Sequence, residues 1–124
     1  MCVYYSALFH DYEYVESGPG LEQIKFIEAP NGNKIYYHYD YQDRVRKTEE
    51  TIDGQNYNHY FDYDDYSKLK TETYPGGFKL IYNYNDNGEL ISIKRDDNGE
   101  TAWYCDDYNA KGQPGTIYLG KPGL

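Results

Sequence analysis

Apolar and polar positions along this chain alternate singly over short stretches. Ile35, Tyr37 and Tyr39 fall on one side of such a stretch and Tyr36, His38 and Asp40 on the other; Leu80, Tyr82 and Tyr84 repeat the pattern further on. A period of two is that of a β-strand, whose successive side chains point to opposite faces. The intervening segments, Val45 to Ile52, Leu69 to Tyr74 and Leu90 to Lys94, are rich in Thr, Lys and Glu with a few aliphatics. They suit antiparallel strands exposed on one face. No stretch predicts a helix.

The turns between these strands recur. Asn31-Gly32, Asp53-Gly54, Gly76-Gly77 and Asn98-Gly99 follow one another at 22, 23 and 22 residues. Each dipeptide is one favoured in two-residue hairpin turns, where both central residues take positive φ. A second series interleaves with the first. Tyr12-Glu13-Tyr14, Tyr37-His38-Tyr39, Phe61-Asp62-Tyr63, Tyr82-Asn83-Tyr84 and Asp106-Asp107-Tyr108 are spaced by 25, 24, 21 and 24 residues. Most are followed by a four-residue turn opened by Asp or Asn, namely Asp40 to Asp43, Asp64 to Ser67, Asn85 to Gly88 and Asn109 to Gly112. Such an opener accepts bonds from the backbone just ahead, and Gly in fourth place permits positive φ, as in a type I turn with a bulge. Asp43 and Ser67 stand where Gly is preferred, so the unit containing Ser67 is expected to be the most distorted.

One unit is thus two strands and two turns. An isolated hairpin is marginal in water, so the units must stack. The expected fold is all-β, an antiparallel meander of eight to ten strands forming a twisted, curled open sheet. Residues 1–21 form an irregular start with a degenerate repeat, 22–119 carry the regular hairpins, and 120–124 are a Gly/Pro tail. Regular structure should end near Leu119.

Composition changes the picture of the core. Leu, Ile, Val and Phe supply only 22 of 124 residues, about 18 %, which alone would suggest disorder. Eighteen tyrosines reverse that expectation, because each ring buries apolar area while its hydroxyl keeps a polar partner. A thin, half-wet core built mainly from tyrosine is expected. The formal net charge of −9 argues against nucleic-acid and anionic-membrane partners. No run of 18 apolar residues predicts a membrane-spanning helix, and residues 1–21 lack the basic start and apolar stretch of an ordinary signal peptide. Cys2 and Cys105 belong to no C-x-x-C or Cys/His cluster, and their pairing stays open.

The repeating Tyr-x-Tyr-Asp-x-x-Gly-Arg-Leu pattern resembles the YD repeat of rearrangement-hotspot (RHS) proteins, toxin-complex shells and teneurins. The matching stretches are Tyr37-His38-Tyr39-Asp40-Tyr41-Gln42-Asp43-Arg44-Val45, Phe61-Asp62-Tyr63-Asp64-Asp65-Tyr66-Ser67-Lys68-Leu69 and Tyr82-Asn83-Tyr84-Asn85-Asp86-Asn87-Gly88-Glu89-Leu90, with Tyr108, Asn109 and Gly112 in a fourth unit. The resemblance covers residues 22–119 and departs from the pattern at Asp43, Ser67, Asn85, Glu89 and Asn109. It implies a non-catalytic structural segment of a β-shell that encloses or displays a C-terminal toxin or effector. Its partners would then be further repeats or that effector domain, in a secreted or cell-surface protein of which this chain is a piece, a truncated reading frame or an excised segment.

Other chemistry is weaker. Asp62, Asp64, Asp65, Asp96, Asp97, Asp106 and Asp107 could supply the acid pair of a glycosidase, yet all lie at or beside turns, where Asp serves the backbone. Asn83 to Gly88 is similar to the start of a calcium loop, but its twelfth position is Lys94 instead of Glu. Weak calcium capture by turn acids is the residual alternative. His10, His38 and His59 are too scattered for a metal pair, and nothing beside Cys105 would activate its thiol. No catalytic residue, metal or cofactor is therefore expected. The aromatic surface gives the main alternative function. Tyr36, Tyr41, Tyr57, Tyr60, Tyr66, Trp103 and Tyr104 exceed what one sheet face needs, and exposed rings can stack on sugars in a carbohydrate-binding or adhesion module.

Overall fold

A computed structural model describes residues 11–119 of the chain. It contains ten strands: β1 Asp11–Tyr14, β2 Ile24–Glu28, β3 Lys34–Tyr39, β4 Val45–Ile52, β5 Gln55–Tyr63, β6 Leu69–Thr73, β7 Lys79–Tyr84, β8 Leu90–Arg95, β9 Thr101–Cys105 and β10 Ile117–Leu119. The fold is all-β and antiparallel, as the period of two requires. The strands expected at Val45, Leu69 and Leu90 begin at those residues, and the last strand ends at Leu119. The expected Gly/Pro tail and residues 1–10 of the irregular start, with Cys2 and His10, lie outside the described residues.

The chain divides into two compact units, residues 1–61 and 62–124, with β5 carrying the backbone from one into the other. In the first unit β1 to β5 pair in chain order, with Tyr12 opposite Ile27, Phe26 opposite Tyr36, Tyr37 opposite Thr48, and Thr48 opposite His59. In the second unit β6 to β10 do the same, with Glu72 opposite Leu80, Tyr82 opposite Ile93, and Ile93 opposite Trp103. Each is an open meander in which sequence neighbours are sheet neighbours.

Among the described residues no second layer packs on these strands, and burial shows it. Among the described residues only Cys105 is a fully buried hydrophobic side chain, joined by the polar Thr71 and Ser92. Every residue of β3 and of β7 is half-buried, so the expected contrast between a covered and an exposed face does not appear there. Side chains instead cover one another laterally. Phe26 and Tyr36 meet at 5.1 Å with the Lys34 ammonium over both rings, and Arg95 lies 4.8 Å over Phe78. These ring and cation contacts shield apolar area within a single layer.

The turn series divide differently from expectation. The five-residue turns opened by Asp40, Asp64, Asn85 and Asn109 have the anticipated geometry, with positive φ at Asp43, Ser67, Gly88 and Gly112. In each, the fourth residue's N–H donates to the opener's carbonyl, and the opener's N–H donates to the carbonyl of the fifth. The Ser67 turn keeps both bonds, so the distortion expected there is absent. Of the four dipeptide turns, only Asp53-Gly54 is the anticipated two-residue hairpin, with both residues at positive φ and Ile52 facing Gln55. Pro30 and Pro75 fix φ at the first corner of longer loops, in which Ala29 bonds Asn33 and Tyr74 bonds Phe78. Asn98-Gly99 closes a longer loop still, from Arg95 to Glu100, and Asn31 and Asn98 keep negative φ.

Candidate functional site

The motif residues assemble into a repeated joint at one end of the strands. Its first part is the opener's side chain. Asp40 Oδ1 accepts the N–H groups of Gln42 and Arg44, at 2.8 and 3.0 Å. Asp64 serves Tyr66 and Lys68, Asn85 serves Asn87 and Glu89, and Asn109 serves Lys111 and Gln113, all within 2.9–3.0 Å. Two backbone donors that no strand can satisfy are thereby paired at every turn. Burial pushes the Asp40 carboxyl up. The backbone N–H groups of Arg44 and Gln42 and the Arg44 guanidinium outweigh it and hold the group below the usual carboxylate range.

The fifth residue of the turn complements the opener. Arg44 Nε donates to Asp40 Oδ2 at 2.8 Å. Where the opener is Asn, its amide nitrogen is a donor, and the fifth residue supplies an oxygen: Asn85 donates to Glu89 Oε1 at 3.0 Å, and Asn109 to Gln113 Oε1 at 2.9 Å. Compared with the Asp40 turn, Asn85 and Glu89 thus differ together, an amide–acid pair standing where the other turn has an acid–base pair. Lys68 uses its charge elsewhere, with Nζ 5.4 Å from the centre of the Tyr84 ring. A double-mutant cycle should reveal the pairing. Asn85→Asp alone sets two carboxylates together and should lower stability, whereas Asn85→Asp with Glu89→Arg should recover it, giving a coupling of about 1 kcal/mol in denaturant titrations. Additive effects would dissolve the pair.

The second tyrosine of the motif forms the other half of the joint. Tyr39 donates its hydroxyl hydrogen to the Ile24 carbonyl at 2.6 Å, and Tyr84 does so to Leu69 at 2.7 Å. Tyr108 bonds the Leu90 carbonyl in the same way. The struts of Tyr39 and Tyr84 run from the end of one strand to the start of the strand beside it, and that of Tyr108 runs from just beyond β9 to the start of β8, at residue separations of 15, 15 and 18. Burial, with smaller contributions from neighbouring acidic groups, pushes all three phenols above their ordinary range. Of the first-position residues, Tyr37 faces Thr48, Phe61 stacks on His59 at 4.4 Å, and Tyr82 bonds Glu72 at 2.7 Å, which also accepts from Tyr74. Tyr63 is the last residue of β5.

Two residues outside the sequence motif, Gly20 and Glu72, take part in these interactions. Gly20, buried in the β1–β2 loop, donates its N–H to Asp43 Oδ1 at 2.7 Å. Asp43, in the left-handed region at φ 61°, thereby gains a role that glycine could not fill. Glu72 is the shared acceptor of two tyrosines, a role that an exposed-looking strand acid gave no hint of. The candidates for other chemistry do not converge. His38 Nε2 lies 3.2 Å from Glu49 Oε1 without the alignment of a hydrogen bond, and Lys47 holds that carboxylate at 2.7 Å, which pulls the acid below its usual range. Asp97 pairs with Arg95, Asp62 bonds Thr71, and the Cys105 thiol donates to the Asp107 carbonyl. Among the described residues no three His, Cys, Asp or Glu side chains are grouped to hold a metal ion, and no helix is long and apolar enough to cross a membrane.

Open concavities of about 510 Å³ and 420 Å³ occur beside the β1–β2 loop and between the Asp64 and Asn85 turns. Tyr41 and Tyr66 stand almost fully exposed at turn tips. No protein-family model matches the chain, and no curated protein matches it significantly, so any functional reading rests on the repeated joint itself.

Proposed function

We propose that this chain is a non-catalytic structural segment of an RHS-like, YD-repeat protein, part of the wall of a β-shell that encloses or displays a C-terminal toxin or effector. The observation that carries the reading is the recurrence of one joint. An Asx-capped turn and a tyrosine strut to the preceding strand return at Tyr39, Tyr84 and Tyr108. Chemistry concentrated at one place would mark an active site. Chemistry that recurs from hairpin to hairpin serves to fasten one to the next, which is what a wall requires.

Single-layer packing supports the same reading. Half-buried strands, without a covering layer among the described residues, suit a wall that gains its remaining burial from neighbouring repeats or contents. Such a protein would act at the cell surface or after secretion. The test is to express the uninterrupted reading frame that contains this segment and probe it by limited proteolysis. Further Tyr-x-Tyr-Asp repeats and a protease-protected region C-terminal to them are expected. A frame without additional repeats, or a C-terminal region as accessible as an unfolded chain, would refute the proposal.

A further inference from the structure

One tetrapeptide occurs twice in the second unit. Asp86-Asn87-Gly88-Glu89 and Asp97-Asn98-Gly99-Glu100 are identical in sequence, and the fold uses them differently. Asn-Gly carries latent chemistry of its own. The backbone nitrogen of glycine, with no side chain beside it as a shield, can attack the carboxamide carbon of the asparagine before it. Local sequence cannot rank two identical copies, so a difference in their reactivity belongs to the structure.

Several conditions are matched between the copies. Both asparagines are exposed, so water reaches each of them. Gly88 and Gly99 both have positive φ, 81° and 69°, and each donates its N–H to a backbone carbonyl at 2.9 Å, that of Asn85 and that of Arg95. The attacking nitrogens are therefore held alike. The carboxamides are not. Asn98 braces its own loop: its Oδ1 accepts the Glu100 N–H at 2.8 Å, and its Nδ2 donates to Glu100 Oε2 at 3.3 Å. Asn87 is third in a turn that Asn85 opens, and it contributes only its backbone N–H, to Asn85 Oδ1 at 3.0 Å. Among the described residues the Asn87 carboxamide has no bonding partner. Asn31, before Gly32, is intermediate, with its Oδ1 accepting the Asn33 N–H at 3.0 Å.

We infer that Asn87 is a site of spontaneous covalent modification, deamidation through a succinimide, from which the fold protects Asn98. The Gly88 nitrogen bonds to Asn87 Cγ and gives up its proton, the Cγ–Nδ2 bond breaks, and the nitrogen leaves with that proton as ammonia. Water then adds at either ring carbonyl and opens the ring to aspartate or isoaspartate. No oxidant or reductant is needed, and water is the sole co-reactant. The carboxamide must turn its carbon onto the glycine nitrogen, a rotation that is free at Asn87 and costs Asn98 both of its bonds. Two hydrogen bonds of ordinary net strength correspond to about tenfold in rate. The product bears on the local structure. A carboxylate at residue 87 stands in the concavity that Lys68 also lines, and isoaspartate lengthens the backbone between Asn85 and Gly88, the two ends of the bond that closes this turn. The inference is independent of the wall proposed above, since it needs only the two turns.

The test is to age the intact chain in mildly alkaline buffer, folded and in parallel unfolded in urea, and to follow the sites by mass spectrometry of tryptic peptides. Cleavage after Lys94 and Arg95 places Asn87 and Asn98 in separate fragments. In the folded chain Asn87 should convert about tenfold faster than Asn98, with Asn31 slower than Asn87, and part of the product should be isoaspartate, detected by its enzymatic methylation. In urea the rates at Asn87 and Asn98 should converge, because their neighbours are the same. Equal rates in the folded chain, faster conversion of Asn98 or Asn31, a difference that persists unchanged in urea, or aspartate formed without isoaspartate would each overturn the inference.

Discussion

Gly20→Ala should lower the unfolding free energy by about 3 kcal/mol. Two costs combine. Gly20 has φ +82°, and holding a residue with a Cβ in the left-handed region costs about 1–2 kcal/mol. The added carbon would also lie 2.2 Å from Cδ2 and 2.4 Å from Cγ of Tyr39. Overpacking of this kind costs about 1–3 kcal/mol, because the ring cannot move without breaking its hydroxyl strut to Ile24. Gly18 provides the control. Its φ is +81°, but nothing lies within 4 Å of the carbon it would gain, so Gly18→Ala should cost only the backbone part, about 1 kcal/mol. Urea titrations of the two variants separate the steric part. Equal midpoints would mean that the β1–β2 loop does not seat on the Tyr39 ring.

That contact marks the border of what the sequence revealed. Gly20 reads there as part of a Ser17-Gly18-Pro19-Gly20 loop, and nothing distinguishes its demand for space from Gly18's demand for backbone freedom. The difference arises only when residue 20 meets residue 39 across the sheet. Strand positions, by contrast, were legible, because alternation at Ile35, Tyr37 and Tyr39 is imposed locally by the pleat. The Asx turns were legible for the same reason: the bonds from Asp40 to residues 42 and 44 span four positions. The dipeptide turns misled because Asn-Gly states where a chain reverses, while Pro30 and Pro75, just ahead of the dipeptides, decide how. The partners of the tyrosine hydroxyls were hidden for a further reason. An acceptor carbonyl belongs to any residue, so Ile24, Leu69 and Leu90 carry no side-chain signal of their role.

The correlated pairs at the turns occupy an intermediate position. Asp40 with Arg44 and Asn85 with Glu89 stand at a fixed spacing, and the sequence displays both exchanges. Their complementarity becomes apparent when the side chains are seen to meet, acid with guanidinium in one turn and amide with acid in another. A difference between two turns of this chain that looks like decay at one position is compensation at the next.

If the hydroxyl struts fasten each hairpin to its neighbour, removing them should unfasten the sheet with no change in ring packing. Tyr39→Phe, Tyr84→Phe and Tyr108→Phe each keep the ring and delete one donor, leaving a partly buried carbonyl unpaired at a cost of about 1–1.5 kcal/mol. The triple variant should lose about 3–4 kcal/mol, with the Tyr39 effect adding independently because it lies in the other compact unit. Tyr41→Phe and Tyr66→Phe, at exposed turn tips, should change nothing measurable. Alkaline pH offers a second test. All three phenols have folded-state pKa values raised above the unfolded value of about 10, so the native state resists ionisation that the unfolded chain accepts. Their contribution is complete below pH of about 10 and declines as pH rises through the folded-state values. Wild-type stability should therefore be level to about pH 9 and fall steeply above it, and the triple variant should fall less steeply from its lower starting point. If the exposed Tyr41 and Tyr66 variants proved as costly as the three strut variants, or if the triple variant kept the full alkaline decline, the tyrosines would be acting as rings alone, and the joint that organises this fold would have to be sought elsewhere.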